Sequence, residues 1–181
     1  MWAYELAESL LSNDLPRRWV HSKGVAEKAR TLAGILGPDA ELLESAAVLH
    51  DIGYAPRIAD TGFHPLDGAR FLRGEGVDER VVRLVAHHSC ALLEAEERGL
   101  RQELVGEFPL EEPHLVDALI YCDMTTTPDG APTTTAARIA EIVGRYGPDS
   151  VVGRFIRRAE PEIGAAALRV ESRLGQARTP A

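Results

Sequence analysis

Apolar residues recur at steps of three and four along almost the whole chain. Val25, Ala29, Leu32 and Leu36 share one stripe, and Gly37-Pro38 closes that segment, because glycine followed by proline stops a helix. A second helix opens near Asp39 and carries Leu42, Leu43, Ala46, Ala47 and Leu49 toward Gly53. The stretch YAPRIADTGF reads as a loop. His64-Pro65 begins the next helix, since proline is favoured in the first helical turn and pushes its predecessor out of the α region. The same periodicity predicts helices at about 78–89, 91–105, 113–123, 135–146 and 149–173, separated by GEG, FPLEEP and TTTPDGAPT. No segment alternates with the period of two that a half-buried strand requires. The pattern predicts an all-α fold, a compact single-domain helical bundle over residues 1–181 with a frayed tail at GQARTPA.

Composition narrows the function classes. At 45% hydrophobic, the 181 residues can bury one sizeable core, and no run approaches the roughly 20 apolar residues that span a bilayer. The opening MWAYELAESLLSNDLPRR carries two glutamates and an aspartate before its first arginine, the wrong charge order for a secretory signal. A cytoplasmic protein with no membrane partner is expected. Cys90 and Cys122 form no CxxC pair and read as buried or half-buried thiols without a catalytic role. Twenty-eight acidic residues stand against twenty basic ones, a net charge of −8. Bulk nucleic-acid binding is therefore not expected, because such a surface repels a phosphate backbone.

The chemistry lies where the stripes end on ionisable groups. His21 precedes Val25 by four and shares its stripe, and His50 follows Ala46 by four and Ala47 by three. Both rings are expected to face the core. His88 follows Leu84 by four and Val85 by three, whereas His87 follows Arg83 on the more polar side. Asp123 follows Leu119 by four and Ile120 by three. His64 sits at a helix mouth, facing a loop. Taken singly, a histidine on an apolar face is most often a hydrogen-bonded core residue. A buried, unpaired carboxylate costs several kcal/mol, so it must be paired, hydrogen-bonded or bound to a cation. With few inward Lys or Arg on these stripes, one divalent metal satisfies the inward imidazoles and carboxylates together.

In order and spacing, His21, the adjacent His50-Asp51 of LHDIG, and the distant Asp123 resemble the H…HD…D pattern of the HD-domain superfamily of metal-dependent phosphohydrolases. The resemblance covers about residues 18–125, the expected metal-binding core. The additional His64 and the pair at 87–88 resemble the two-metal members. That comparison implies His64 and His88 as ligands of a second metal, with Asp51 bridging as the central catalytic residue.

A mixed set of imidazoles and carboxylates suits Fe, Mn, Co, Ni or Zn over Ca or Mg, and two ions per chain are expected. Two cations sharing a carboxylate generate a hydroxide nucleophile at neutral pH and hold phosphoryl oxygens through in-line displacement. The resemblance thus implies hydrolysis of a nucleotide or other small phosphorylated metabolite. Arg57, on the loop seven residues past His50, is the candidate phosphate donor, with a solvated loop arginine as the alternative. His87 is the second substrate-side candidate; it could also bind metal or merely cover the site. TTTPDG after Asp123 is expected to form the pocket rim, and His114, beside two glutamates at a helix start, is left outside. The arginine-dotted helix at 149–173 reads as a surface helix and leaves a homodimer open. The alternative activity is that of the mixed-valence di-iron HD-fold oxygenases, which act on phosphonates or polyols and whose corresponding segment FHPLDGARFL resembles. A degenerate binding module is the third reading, disfavoured because every ligand position is filled.

Overall fold

A computed structural model describes residues 2–177, and their regular structure is helical apart from one isolated bridge between Thr126 and Pro132. Helices α1 (Trp2–Leu11) and α2 (Pro16–Arg30) are followed by a single turn, α3 (Ala33–Leu36), and by α4 (Ala40–Leu49), which packs on α1 and α2. Next come α5 (His64–Gly74) and α6 (Glu79–His87), which pack on each other, then α7 (Ala91–Arg98) and α8 (Arg101–Glu107). The chain finishes with α9 (Pro113–Met124), α10 (Thr135–Tyr146) and α11 (Val151–Ala177), the last lying against α7, α9 and α10.

Two expected helices are divided. The stripe from Val25 to Leu36 breaks after Arg30, where the Thr31 hydroxyl bonds back to the Lys28 carbonyl and replaces the helical continuation. The segment at 91–105 breaks at Gly99, which adopts φ +75 as a left-handed C-cap. The α4 helix ends at Leu49, and the chain tightens through His50 and Asp51 into a short 3-10 turn at Ile52–Tyr54.

Leu11, Leu32, Leu43, Leu49, Phe63, Leu66, Leu84, Leu104, Phe108 and Leu115 are among the side chains fully buried in the main core. A smaller core joins α9, α10 and α11 through Ile120, Met124, Ile139, Phe155, Ile156 and Ile163. The C-terminal helix is thus amphipathic rather than purely a surface helix: Arg154, Arg158 and Arg169 face outward to Glu97, Glu96 and Asp117, while the opposite face is buried. Of the expected frayed tail, Gly175–Ala177 belong to α11 and the remainder lies outside the described residues. No described helix is long and apolar enough to cross a membrane.

Two close backbone approaches position the site. A Cβ on Gly53 would lie 2.0 Å from the His64 carbonyl oxygen, so only glycine lets the turn after Asp51 press against the start of α5. A Cβ on Gly24 would lie 2.6 Å from Gly130 Cα, and that contact lets the loop after α9 lie on α2.

Candidate metal centre

Six side chains from five parts of the chain converge on one buried locus. His21 comes from the second turn of α2, His50 and Asp51 from the end of α4, His64 from the first turn of α5, His88 from just beyond α6, and Asp123 from the end of α9. Each lies where a helix begins or ends, except His21, so side chains from crossing helices can meet.

One group joins His21, His50 and Asp51, and a second joins Asp51, His64 and His88; within each, one ligand atom per residue lies within 4.8 Å of the others. Asp123 adjoins the first group, with Oδ1 3.0 Å from His21 Nε2 and 3.9 Å from His50 Nε2. Asp51 Oδ1 stands 3.6 Å from His50 Nε2 and 3.5 Å from His64 Nε2, so one carboxylate faces both groups. The Nε2 atoms of His64 and His88 are 3.0 Å apart. Two nitrogens bound side by side to a first-row cation at about 2.1 Å stand about 3.0–3.4 Å apart, from right-angle to tetrahedral arrangement.

The remaining ring atoms explain why these nitrogens point inward. His21 Nδ1 donates to the Thr127 carbonyl at 2.9 Å, His50 Nδ1 to that of Ala47 at 2.7 Å, and His88 Nδ1 to that of Val85 at 2.6 Å. A carbonyl can only accept, so Nδ1 carries the proton, and in the neutral ring Nε2 keeps its lone pair. That arrangement of outer hydrogen bonds orients metal-binding histidines. His50 Nε2 is buried and has no hydrogen-bond partner among the described residues. An orphaned lone pair between two carboxylates is poorly accommodated by protein alone and well accommodated by a cation. The donor set, its burial and its spacing therefore fit a divalent metal.

Electrostatics divides the cluster. Burial raises the Asp51 carboxyl, but Arg18, with Nη1 2.7 Å from Asp51 Oδ2, and the surrounding histidines outweigh it and hold the group well below the usual carboxylate range. Asp123 is likewise raised by burial and then held far below that range by the His21 hydrogen bond and neighbouring positive charge. Burial lowers His21, yet Asp123 prevails and leaves its pKa above the ordinary value. Burial, then the proximity of His88, pushes His64 well below it, and His88 is lowered by burial and by His50.

Two residues assigned to substrate stand elsewhere, and both assignments are corrected. Arg57 lies off the site, its Nη2 3.3 Å from the Ser9 hydroxyl, because the turn fixed by Gly53 carries the loop toward α1. His87 is buried, contrary to its expected polar side, and its Nε2 donates to the Phe108 carbonyl at 2.7 Å. His64 is held rather than free to swing, stacked on Tyr54 with ring centroids 3.9 Å apart.

Arg18 and Tyr54 line the cavity against the ligand cluster and were not among the residues the sequence singled out. Arg18 lies one helical turn before His21, a spacing that places both on one face of α2. Its guanidinium carbon sits 3.2 Å from the Tyr54 ring centroid, so Tyr54 supports Arg18 and His64 together. Ser89 was also missed; its hydroxyl donates to Asp123 Oδ2. Ser89 and Cys90 have φ of +48 and +63, a left-handed pair that turns the chain sharply after His88. Burial raises the Cys90 thiol to about 12, so no thiolate is offered at neutral pH. Nothing in the residue types announces that turn, since neither is glycine. His114 lies outside the site, beside Asp39 and Glu112, as expected.

A helical bundle gathering histidines and aspartates from crossing helices in this order defines a metal-binding class, and the comparisons agree. The HD domain family profile matches residues 18–143, more than half of the chain, and the chain belongs to that family. A tRNA (cytidine(56)-2'-O)-methyltransferase of Thermoplasma volcanium is 40% identical over 77 residues, 42% of this chain and 22% of that protein. Ribonuclease Y of Rubrobacter xylanophilus is 41% identical over 69 residues, 38% of this chain and 13% of that protein. The similarity thus spans less than a quarter of either relative's length. No solved structure matches the chain significantly.

Proposed function

We propose that the chain is a metal-dependent phosphohydrolase acting on a nucleotide or another small phosphorylated metabolite. Two divalent transition-metal ions would be held, one by His21, His50, Asp51 and Asp123, the other by Asp51, His64 and His88. The observation that carries the reading is Asp51, one carboxylate facing two groups of imidazoles at the base of a cavity of about 400 Å³. Ions bound there would supply the Lewis acidity that phosphoryl transfer to water requires. The chain's own part is positional. Arg18 fixes the Asp51 carboxylate and turns toward the cavity, where a phosphoryl oxygen can take its remaining donors. The carbonyls of Thr127, Ala47 and Val85 hold three rings in their productive tautomer, and the Ser89 hydroxyl steadies Asp123.

A relative named Ribonuclease Y supports phosphoester chemistry, with RNA as that protein's substrate. A small substrate fits this chain better. Its net charge is −8, and Arg17 and Arg18 on one side of the cavity are already paired with Asp129 and Asp51, which disfavours a long polymer backbone. The test is elemental analysis of protein purified without added metal, with a screen of phosphate esters in air and under anaerobic conditions. About two ions per chain and phosphate release indifferent to oxygen are expected. Turnover that requires dioxygen would replace this reading with the oxygenase.

A further inference from the structure

Beyond the ligands, the cavity has a second half of different composition. Its wall is formed by the end of α9, by α10 and by the beginning of α11, through Met124, Ile142, Val152, Phe155 and Ile156, continuous with the smaller core beneath. Arg138, Arg145 and Tyr146 of α10 interrupt that wall, and Arg138 is the most deeply buried of them. Arg138 lines the cavity with only 8% of its surface exposed, and its Nη1 donates to Glu141. Its Nε is buried and has no hydrogen-bond partner among the described residues. A guanidinium buried with one donor unmade is costly, and because the Arg138 side chain lines the cavity, an anion entering there can offset that cost through its charge and through the donors that face the cavity. The charge balance points the same way, because Glu141 is shared between Arg138 and Arg145. Two guanidiniums face one carboxylate, which leaves positive charge for an anion. Arg138 is also near enough to the metal-ligand cluster for its charge to bear on Asp123 and His21.

We propose that Arg138 is a substrate-phosphate anchor and that the α10–α11 wall is the subsite for an apolar, ring-bearing organic group. The preferred substrate class is then a phosphomonoester of an aromatic or similarly apolar alcohol, in preference to a polyol phosphate or a polynucleotide. The inference rests on the phosphohydrolase reading above and adds the identity of the group beyond the phosphate. A phosphoryl group set between the ligand cluster and Arg138 directs its ester substituent onto Phe155 and Val152, where burial of apolar surface stabilises the complex.

The test is calorimetric binding of inorganic phosphate and of phenylphosphonate to the metal-loaded full chain, with metal content and melting temperature measured for each variant. Wild type is expected to bind phenylphosphonate at least about tenfold more tightly than phosphate. Arg138→Met should weaken both ligands about tenfold to a hundredfold, the range of a lost hydrogen bond to a charged group. Val152→Asp alters a half-buried wall position without emptying the core. It should weaken phenylphosphonate by about ten times more than phosphate. Equal affinity of wild type for the two ligands, or an Arg138→Met protein that binds both as wild type does, overturns the proposal while leaving the phosphohydrolase reading intact. Failure of metal-loaded wild type to bind either anion overturns both, as does hydrolysis of an RNA oligonucleotide in preference to phenyl phosphate.

Discussion

The two ends of the ligand cluster are built on different principles. At one end His21 and Asp123 form an ion pair, 3.0 Å from Nε2 to Oδ1, and their outer atoms are satisfied by the Thr127 carbonyl and the Ser89 hydroxyl. At the other end His64 and His88 bring two Nε2 atoms to 3.0 Å, with Asp51 as the facing carboxylate. That carboxylate is already engaged through its second oxygen by Arg18. At the His21 end the His21–Asp123 pair is satisfied by protein groups, while His50 Nε2 beside it has no hydrogen-bond partner among the described residues. The His64 end joins two imidazoles of lowered pKa through one Nε2–Nε2 hydrogen bond, so a cation there displaces a neutral contact, whereas at the His21 end it displaces a charge-assisted one. Metal binding should therefore contribute most to stability at the His64 end, as binding free energy becomes folding free energy.

The largest break in this comparison is Asp51→Ala, because Asp51 serves both ends. Turnover should be abolished and metal content should fall at both positions. Stability should drop by about 3 kcal/mol, since Arg18 loses its buried partner; the part of Arg18 that stays exposed puts the loss at the low end for such pairs. Elemental analysis and thermal melting report both effects. One ion per chain surviving in the variant would mean that Asp51 does not join the two ends.

Gly53→Ala sharpens the contrast from the backbone. The new methyl would meet the His64 carbonyl at 2.0 Å, and the nearby Gly68 nitrogen leaves it no easy way out. A loss of about 3 kcal/mol is expected, at the upper end for overpacking, together with displacement of His64. Metal should be lost preferentially from the His64 end. A variant as stable as wild type would show that the turn after Asp51 relaxes freely.

His64→Ala and His88→Ala test the two-ended arrangement without touching Asp51. Each should lower metal content from about two ions per chain toward one and reduce the rise in melting temperature that added metal gives to wild type. If wild type holds one ion and His64→Ala leaves it unchanged, a single-metal centre at the His21 end takes the place of the pair.

Much of this was legible in the sequence, for a physical reason. A histidine or aspartate that ends an apolar stripe tends to face the core, and the buried placement of His21, His50 and Asp123 followed from that rule, while their grouping as a ligand set came from the resemblance. The helical class followed from the same periodicity. What escaped was set by breaks in regular structure. The α6 helix stops at His87, and the left-handed pair Ser89 and Cys90 redirects the chain. His87 itself lies within α6, and the side it shares with Arg83 is covered by the segment carrying Phe108 and Glu111, a long-range contact that periodicity does not report. Arg57 was chosen because it follows His50 closely in sequence, and the Gly53 turn removes it in space. Arg18 carried a readable signal, one turn before His21 on the same helix. Arg138 carried none, because its link to the site passes through the packing of α10 beside α9.

The smallest expected effects distinguish these two misplaced residues. His87 is buried and bonded through Nε2 to the Phe108 carbonyl, with its pKa lowered by burial. His87→Ala should cost about 1–3 kcal/mol, because the Phe108 carbonyl loses its donor and the ring leaves a space in the core. Both metal ions should remain. Arg57 makes only a long 3.3 Å contact with Ser9 at the exposed surface, so Arg57→Ala should change stability by no more than about 0.5 kcal/mol. It should leave kcat, KM and metal content at wild-type values, because no part of Arg57 lines the cavity. The comparison is read from paired melting curves and steady-state kinetics under identical metal loading. A raised KM for Arg57→Ala with unchanged metal would mean that the loop folds over the cavity when substrate arrives. The phosphate-binding role would then return to Arg57 and be shared with Arg18.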